Sequence, residues 1–172
     1  RWWLGEVAWV SGAAPVMVPD RLDPGTGDRW TATADDVAFF TAEMASGAIA
    51  QVFMSGVAAH NMGNTTRIFG SQGTITLSND DERLLFAPEG EDVQDITITD
   101  PNADLPGINA GIWNVSVVAL MQELASAIRD ERNPSRGATF ADGLANQTVL
   151  DAVRISGTER RWVRPEETIA GS

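Results

Sequence analysis

The sequence has 172 residues, a formal net charge of −12 and no cysteine. This length allows one domain with a buried core. Without cysteine the chain can form neither disulfides nor thiolate metal sites, so a reducing cytoplasm is the expected compartment. The twelve basic residues are all arginines and are scattered, which argues against nucleic acid or an anionic membrane as a partner. With neither lysine nor tyrosine present, a Schiff-base mechanism is excluded.

The first thirty residues predict a helix end, an edge strand and a loop. Bulky residues 1–4 followed by Gly5 resemble the C-terminus of a helix that has been cut through. Since the sequence also lacks an initiator Met, we expect a fragment of a longer protein. Residues 6–18 predict a strand that its prolines push towards a sheet edge. Residues 19–30 are rich in Pro, Gly and Asp and predict a loop.

Two acidic residues in this loop raise the question of a cation site. Asp23 and Asp28 are separated by glycines, and carboxylate oxygens are ligands for hard cations. The run lacks the ligand periodicity and the terminal Glu of an EF-hand. A solvated connector is therefore the preferred interpretation.

A long hairpin over residues 36–57 is the centre of the prediction. Two arms of apolar and polar residues flank the turn residues Ser46 and Gly47. Successive side chains of a strand point to opposite faces, so Phe39 and Phe40 must lie on different sides of the sheet. The sequence therefore predicts two separate coverings, one for each face of the sheet, and leaves open which Phe faces which.

Further strands and then two helices follow the hairpin. Short strands are predicted at residues 67–70, 74–77, 83–86 and 93–99, which gives about seven strands in an antiparallel meander. The period then changes to that of a helix. One helix is predicted from an N-cap at Asn114 to Asn133, and a second one opens with a capping box. Strands followed by helices predict an α+β fold, an open-faced and mostly antiparallel sheet with helices packed on one face.

Five segments occur in a characteristic order: RWWLGEV, DDVAFFTAEMASGAIAQV, RIFGSQGTITL, FADGLANQTVLDAV and RWV. Each motif alone has a structural reason to exist. Their common order and spacing resemble the C-terminal domain of the Gfo/Idh/MocA oxidoreductases (glucose-fructose oxidoreductase, inositol dehydrogenase and MocA-like proteins). The resemblance implies that residues 1–172 form a single C-terminal substrate-binding and oligomerisation domain whose first helix is truncated.

The resemblance also implies which parts lie outside this chain. The family's Rossmann domain binds NAD or NADP, and the sequence contains no GxGxxG that follows a strand. Gly70 and Gly73 have the wrong spacing and lie in a predicted hairpin turn. The family's lysine, aspartate and histidine lie upstream of residue 1, so no catalytic residue is assigned, no cofactor is expected to bind this chain, and no metal site is predicted.

One polar loop remains as a candidate substrate contact. In the family, the loop that follows the central hairpin lines the substrate pocket, and here it contains the only histidine, His60. Its neighbours Asn61, Met62 and Asn64 share that position, and an amide both donates and accepts hydrogen bonds, which suits a sugar or polyol hydroxyl. The alternative is that His60 is simply an exposed histidine in a loop. We expect a binding role rather than a catalytic one.

Three functions are compatible with these observations. The first is a domain of an NAD(P)-dependent oxidoreductase acting on a sugar, polyol or related hydroxy compound, with the open sheet face forming a homo-oligomer. The second is a catalytically inactive relative that acts as a ligand sensor or scaffold. The third is a free-standing binding module, which the cut first helix disfavours.

Overall fold

The computed structural model describes residues 1–60, 63–78, 82–102, 104–107, 112–134 and 137–169, without the side chains of residues 112 and 113. The chain divides into two compact units, one formed by Arg1–Ala59 with Ala138–Ser172 and the other by His60–Gly137. Neither described helix has an apolar stretch sufficient to cross a bilayer.

Nine strands, two α-helices and one short 3-10 helix make up the described part of the chain. The strands are β1 (Val7–Ala13), β2 (Asp20–Leu22), β3 (Arg29–Thr31), β4 (Val37–Met44), β5 (Ile49–Ser55), β6 (Thr65–Gly70), β7 (Gly73–Ser78), β8 (Arg83–Pro88) and β9 (Gln94–Asp95). The helices are α1 (Ile112–Arg129), α2 (Phe140–Glu159) and the 3-10 helix Pro165–Thr168. The prediction of about seven strands in one meander is wrong, because the strands form three sheets, ordered β1-β4-β5, β2-β3 and β6-β7-β8-β9.

The predicted central hairpin is confirmed in the first unit. Strands β4 and β5 pair in antiparallel register from Val37–Ser55 to Glu43–Ile49. The turn is closed by a hydrogen bond from the Met44 amide to the Ala48 carbonyl, and Gly47 adopts a φ of 87°. Glycine enters this left-handed region without the steric cost that a Cβ brings. Strand β1 pairs with the other side of β4.

One face of this sheet is packed against α2. The core consists of Val10, Ala42, Met44, Ala152, Val153 and Val163. Helix α2 passes so close to β1 that a Cβ on Gly157 would lie 2.9 Å from the Ala13 Cβ. The Ser156 hydroxyl joins the two elements, since it accepts from the Gly12 amide at 3.1 Å and donates to the Arg161 carbonyl at 2.6 Å. Burying the apolar side chains of this core contributes about 25 cal/mol for each Å² removed from water.

The loop predicted at residues 19–30 contains a short hairpin, β2-β3, so that prediction is wrong in part. The hairpin is fixed from outside its own sequence by Asp36, which accepts from the amides of Met17 and Val18 at 2.7 and 3.0 Å. The Arg21 guanidinium pairs with the same carboxylate at 2.8 Å and lies 5.9 Å from the Trp30 ring centroid. The composition of residues 19–30 does not indicate these bonds, because Asp36 lies outside that segment.

The second unit contains the sheet β6-β7-β8-β9. The alternation over residues 93–99 predicts a full strand, but only Gln94 and Asp95 pair with β8. One more backbone bond joins the Ile96 amide to the Leu84 carbonyl at 2.9 Å. Side chains then take over, because the Leu84 amide donates to the Thr97 hydroxyl at 2.9 Å and the Thr97 amide donates to Asp95 at 3.0 Å. These local bonds compete with sheet pairing and end the strand.

Helix α2 begins where its capping box predicts. The Thr139 hydroxyl accepts from the Asp142 amide and the Asp142 carboxylate accepts from the Thr139 amide, which is the reciprocal pattern of a capping box. Helix α1 begins at Ile112, so Asn114 lies inside the helix and the predicted N-cap is wrong. The fold class is confirmed: an α+β chain with open, antiparallel sheets and two helices.

Candidate association surface and substrate loop

The face of the β1-β4-β5 sheet opposite α2 is called the open face. The antiparallel register arranges its side chains in three rows across the strands. Two rows cross all three strands, Ser11–Thr41–Gln51 and Trp9–Glu43–Ile49, and the third is the cross-strand pair Phe39–Phe53. This assigns the Phe39 set to the open face, and the Phe40 set to the face packed on α2.

Exposure separates the two faces of the sheet except at its far end, where Met54 on the packed face is 65% exposed. Phe39 and Phe53 expose 47% and 73% of their surface, whereas Ala42 and Met44 on the other face expose 2% and 7%. Phe39 and Phe53 are direct cross-strand partners, so their rings form one apolar patch. A patch of large apolar side chains that a chain leaves in water marks an interaction surface.

Beside this patch lies a shallow depression. Its volume is about 430 Å³, and its lining includes Ser11, Phe39, Thr41, Gln51 and Phe53. The two hydroxyls and the amide form the polar middle row, and the two rings belong to the apolar row next to it. The two rings therefore form part of the wall of this depression on the open face.

Charge on the open face is confined to one end. Glu43 is the single acidic residue of the three rows, and its cross-strand partner Trp9 lies 4.3 Å beneath the Arg164 guanidinium, measured to the ring centroid. Arg164 lies near Trp9 because the preceding residue, Val163, forms an antiparallel β-bridge with Val10 at the outer edge of β1. The apolar row and the polar middle row carry no charge in a chain of net charge −12.

The strand β4 is anchored at its start by the Asp36 carboxylate. The amide of Met17, then that of Val18, and the Arg21 guanidinium hold the pKa of this carboxyl below its ordinary value, against the opposing effect of burial. The side chain of Asp36 is only 5% exposed. These bonds fix the chain just before the residues of the open face.

The predicted substrate loop is described only in part. His60 and Asn64 lie at its ends and are both exposed. Asn61 and Met62 lie outside the described residues. The structure thus keeps His60 and Asn64 accessible, and the binding role of the four residues stays a prediction.

Gly70 and Gly73 flank the turn between β6 and β7, as the sequence predicts, and a Cβ on Gly73 would overlap the Ala87 carbonyl oxygen. This glycine therefore serves strand pairing rather than the approach of a phosphate.

The Asp23 carboxylate accepts hydrogen bonds from within its own loop, residues 23–28. Asp23 accepts from the amides of Gly25 and Thr26 at 2.7 and 3.2 Å, the pattern of an Asx turn. Within the described ranges no group of three or more His, Asp or Glu side chains is arranged to hold a metal. The loop closes the β2-β3 hairpin.

The sequence pattern indicates the Phe39 and Phe40 alternation but not the polar middle row. Ser11 is 40 residues away from Gln51 in the sequence, and only the register of two strand pairs brings them into one row. The sequence signal for this row is the alternation of residues in the strand that contains Ser11. To assign Ser11 to the row one also needs the strand order, which the sequence leaves open.

These features define a class of protein: an α+β domain with a helix on one face of its central sheet and an apolar surface on the other. A family profile described as "GFO/IDH/MocA C-terminal domain" matches residues 1–76. Over these residues the chain matches the C-terminal domain of that oxidoreductase family, and this match confirms the resemblance drawn from the sequence.

Individual relatives agree with this assignment. An uncharacterized oxidoreductase of Synechocystis sp. is 24% identical over 171 residues, which are 95% of this chain and 45% of the relative. The crystal structure of an oxidoreductase domain protein from Kribbella flavida is 30% identical with a TM-score of 0.74, covering 92% of this chain and 44% of that one. This chain spans about half the length of the relatives it matches.

More distant structures share the fold. A levoglucosan dehydrogenase in complex with NADH and L-sorbose has a TM-score of 0.76 at 21% identity, over 95% of this chain and 46% of that one. An NAD binding oxidoreductase from Klebsiella pneumoniae has a TM-score of 0.75 at 22% identity, over 92% of this chain and 45% of that one. At these identities the likeness is one of fold.

Proposed function

We propose that residues 1–172 form the substrate-binding and oligomerisation domain of an NAD- or NADP-dependent oxidoreductase acting on a sugar, polyol or related hydroxy compound. The observation that carries the proposal is the family match over residues 1–76 combined with a sheet that has one packed and one open face. The redox chemistry belongs to the cofactor and to residues outside this chain. This chain contributes part of the pocket wall and the contact between subunits.

The proposed substrate class is supported by the sugars bound in structures that share the fold. Levoglucosan dehydrogenase is described in complexes with NADH and levoglucosan and with NADH and L-sorbose. In our proposal, His60, Asn61, Met62 and Asn64 contact the hydroxyl groups of such a substrate. An imidazole and amide groups match hydroxyls as both donors and acceptors.

The subunit contact is assigned to the open face. Phe39, Phe53 and Ile49 expose 47%, 73% and 61% of their surface there, and the apolar and polar rows are uncharged. Covering large exposed apolar side chains is the main gain in protein association. The partner in this proposal is a second copy of the same chain.

The substrate proposal is tested by adding sugars and polyols to the full-length protein with NAD or NADP and following the formation of the reduced nicotinamide by its absorbance. We expect turnover with at least one hydroxy compound. Changing His60 to Ala should raise KM about tenfold or more and leave kcat largely unchanged, because loss of a ground-state contact weakens binding. The matched control is Thr26→Ala in the exposed turn between β2 and β3.

Two outcomes would contradict the proposal. Turnover by the 172-residue chain alone with added cofactor would show that the chemistry is carried within it. A full-length protein that binds a sugar but turns over none of the compounds would favour the alternative function, a ligand sensor or scaffold.

A further inference from the structure

The strands β6 and β7 of the second unit present two unlike faces. Successive side chains of a strand alternate between the faces of a sheet. On one face the antiparallel register places Ile68 opposite Ile75, and both are apolar. The other face is polar except at one position and is called the arginine face. Its residues are Thr65, Arg67, Phe69, Thr74, Thr76 and Ser78.

Arg67 is an exposed cation without a partner. Its guanidinium makes neither an ion pair nor a hydrogen bond within the described ranges. Its cross-strand neighbour is Thr76, which offers a hydroxyl and no carboxylate. The other arginine in these strands, Arg83, pairs with Asp95 at 3.0 Å. Arg67 therefore presents all its donors to solvent in a chain that has 24 acidic residues and 12 basic ones.

The side chains around Arg67 suit a sugar that carries an anionic group. A guanidinium binds a carboxylate or a phosphate through two parallel hydrogen bonds. Thr76 lies opposite Arg67 and Thr65 lies two positions before it, and a hydroxyl both donates and accepts hydrogen bonds. Phe69 lies two positions after it and exposes 77% of its surface, so its ring is open to the apolar face of a sugar ring.

The arginine face begins where the predicted substrate loop ends. Asn64 directly precedes β6, and Arg67 follows it by three residues. Three residues of a strand span about 10 Å, a length that a six-carbon sugar bridges together with two side chains. His60 at the other end of the loop belongs to the same unit and is exposed like Asn64. One ligand can therefore contact the loop and the guanidinium together.

We propose that Arg67 binds the anionic group, a carboxylate or a phosphate, of a sugar derivative whose hydroxyls contact His60 and Asn64. This site rests on the proposed function and narrows its substrate class from sugars and polyols in general to anionic ones. The role of Arg67 is binding, and the redox chemistry stays with the cofactor. A net charge of −12 repels an anion over most of the surface, so the affinity depends on this guanidinium.

The test is calorimetric titration of the full-length protein, in the presence of NAD or NADP, with ligands that differ only in charge. They are the hexose, the hexuronate and the hexose 6-phosphate of the gluco, galacto and manno series. We expect an anionic ligand to bind at least about tenfold more tightly than the neutral hexose of the same configuration, because its hydrogen bonds to Arg67 are charge-assisted. The hexuronate and the 6-phosphate distinguish a carboxylate from a phosphate.

Three variants connect this preference to Arg67. Arg67→Gln should remove it, and Arg67→Lys should retain part of it, because lysine keeps the charge but loses the two-pronged geometry. The matched control is Arg29→Gln in β3, where an exposed arginine also has no ion pair within the described ranges. It changes the net charge by the same amount and should leave the preference unchanged. Thermal unfolding checks that each variant is folded.

The outcomes separate this site from the proposed function. Equal affinity for neutral and anionic ligands, or no binding of any of them, overturns the assignment of Arg67, and turnover of a neutral sugar by the same protein leaves the proposed function standing. An equal loss in Arg29→Gln attributes the preference to net charge and overturns the assignment as well. Anion binding that requires Arg67, without turnover of any compound, supports this site and contradicts the proposed oxidoreductase.

Discussion

Gly12 allows β1 and β4 to approach each other on the packed face of the central sheet. A Cβ at this position would overlap the Phe39 carbonyl oxygen and the Phe40 Cβ, and both belong to the paired strand. A backbone atom cannot rotate away as the end of a long side chain can. The register that builds the three rows of the open face therefore depends on a glycine here.

We expect Gly12→Ala to lower the free energy of unfolding by about 1–3 kcal/mol, the usual cost of overpacking a tight site. The control is Gly143→Ala, where an added Cβ meets nothing within 4 Å inside α2. Alanine should raise stability there by up to about 1 kcal/mol. Urea unfolding measures both, and equal stabilities for Gly12→Ala and wild type would show that the strands separate without cost.

Asp36 predicts a pH-dependent contribution to stability. Bonds from Met17, Val18 and Arg21 hold the pKa of its carboxyl low in the folded protein. A carboxyl whose pKa is lowered by folding stabilises the folded state above its unfolded pKa, near about 4, and loses this contribution as the pH falls through the lower folded value. Asp36→Asn should therefore lower the melting temperature at neutral pH, and the difference from wild type should shrink below about pH 4.

The matched control is Asp20→Asn, an exposed carboxylate in β2. It should change the melting temperature little at either pH. A difference between wild type and Asp36→Asn that stays constant from neutral pH to about pH 3 would contradict the assigned role of the Asp36 carboxylate.

At the scale of elements, α2 depends on its first turn. The Thr139 hydroxyl accepts from the Asp142 amide at 3.2 Å, and the Asp142 carboxylate also pairs with Arg1 at 2.9 Å. The cap thus joins the start of the helix to the first residue of the chain. Because α2 covers the packed face of the central sheet, its stability decides whether that sheet has a core.

Thr139→Ala removes the cap, and we expect the free energy of unfolding to fall by about 1 kcal/mol. The control is Thr158→Ala near the other end of α2, where the hydroxyl donates to the Arg154 carbonyl one turn earlier. That change should be close to neutral, because this kind of bond adds little to a helix. Chemical denaturation compares the two, and equal losses would contradict the cap assignment.

Elements with local signals were predictable from the sequence. The central hairpin follows from its two arms and the turn at Gly47, and α2 follows from Thr139 and Asp142. Two other elements depend on distant partners and were not predictable. The β2-β3 hairpin is held by Asp36, and β9 ends early because Thr97 replaces the sheet ladder.

At the scale of the molecule, the sequence predicts two unlike faces for the central sheet but not which residues each contains. The pleat separates Phe39 from Phe40, and either set could have faced α2. Packing decides the matter, since Ala42 and Met44 share the Phe40 face and join the core with Val153. The depression lined by Phe39 and Phe53 depends on strand order, which no local pattern encodes.

The proposed function depends most on the association of two copies through the open face. The direct measurement is the mass in solution of the full-length protein, by light scattering, for wild type, Phe39→Asp and Phe140→Asp. Phe39 lies in the apolar row, whereas Phe140 is fully exposed at the start of α2 and receives the same substitution as a control. We predict that wild type and Phe140→Asp have the mass of a dimer or larger oligomer and that Phe39→Asp has a lower mass. A monomeric wild type, or a Phe39→Asp variant with the mass of the wild-type oligomer, would contradict this association.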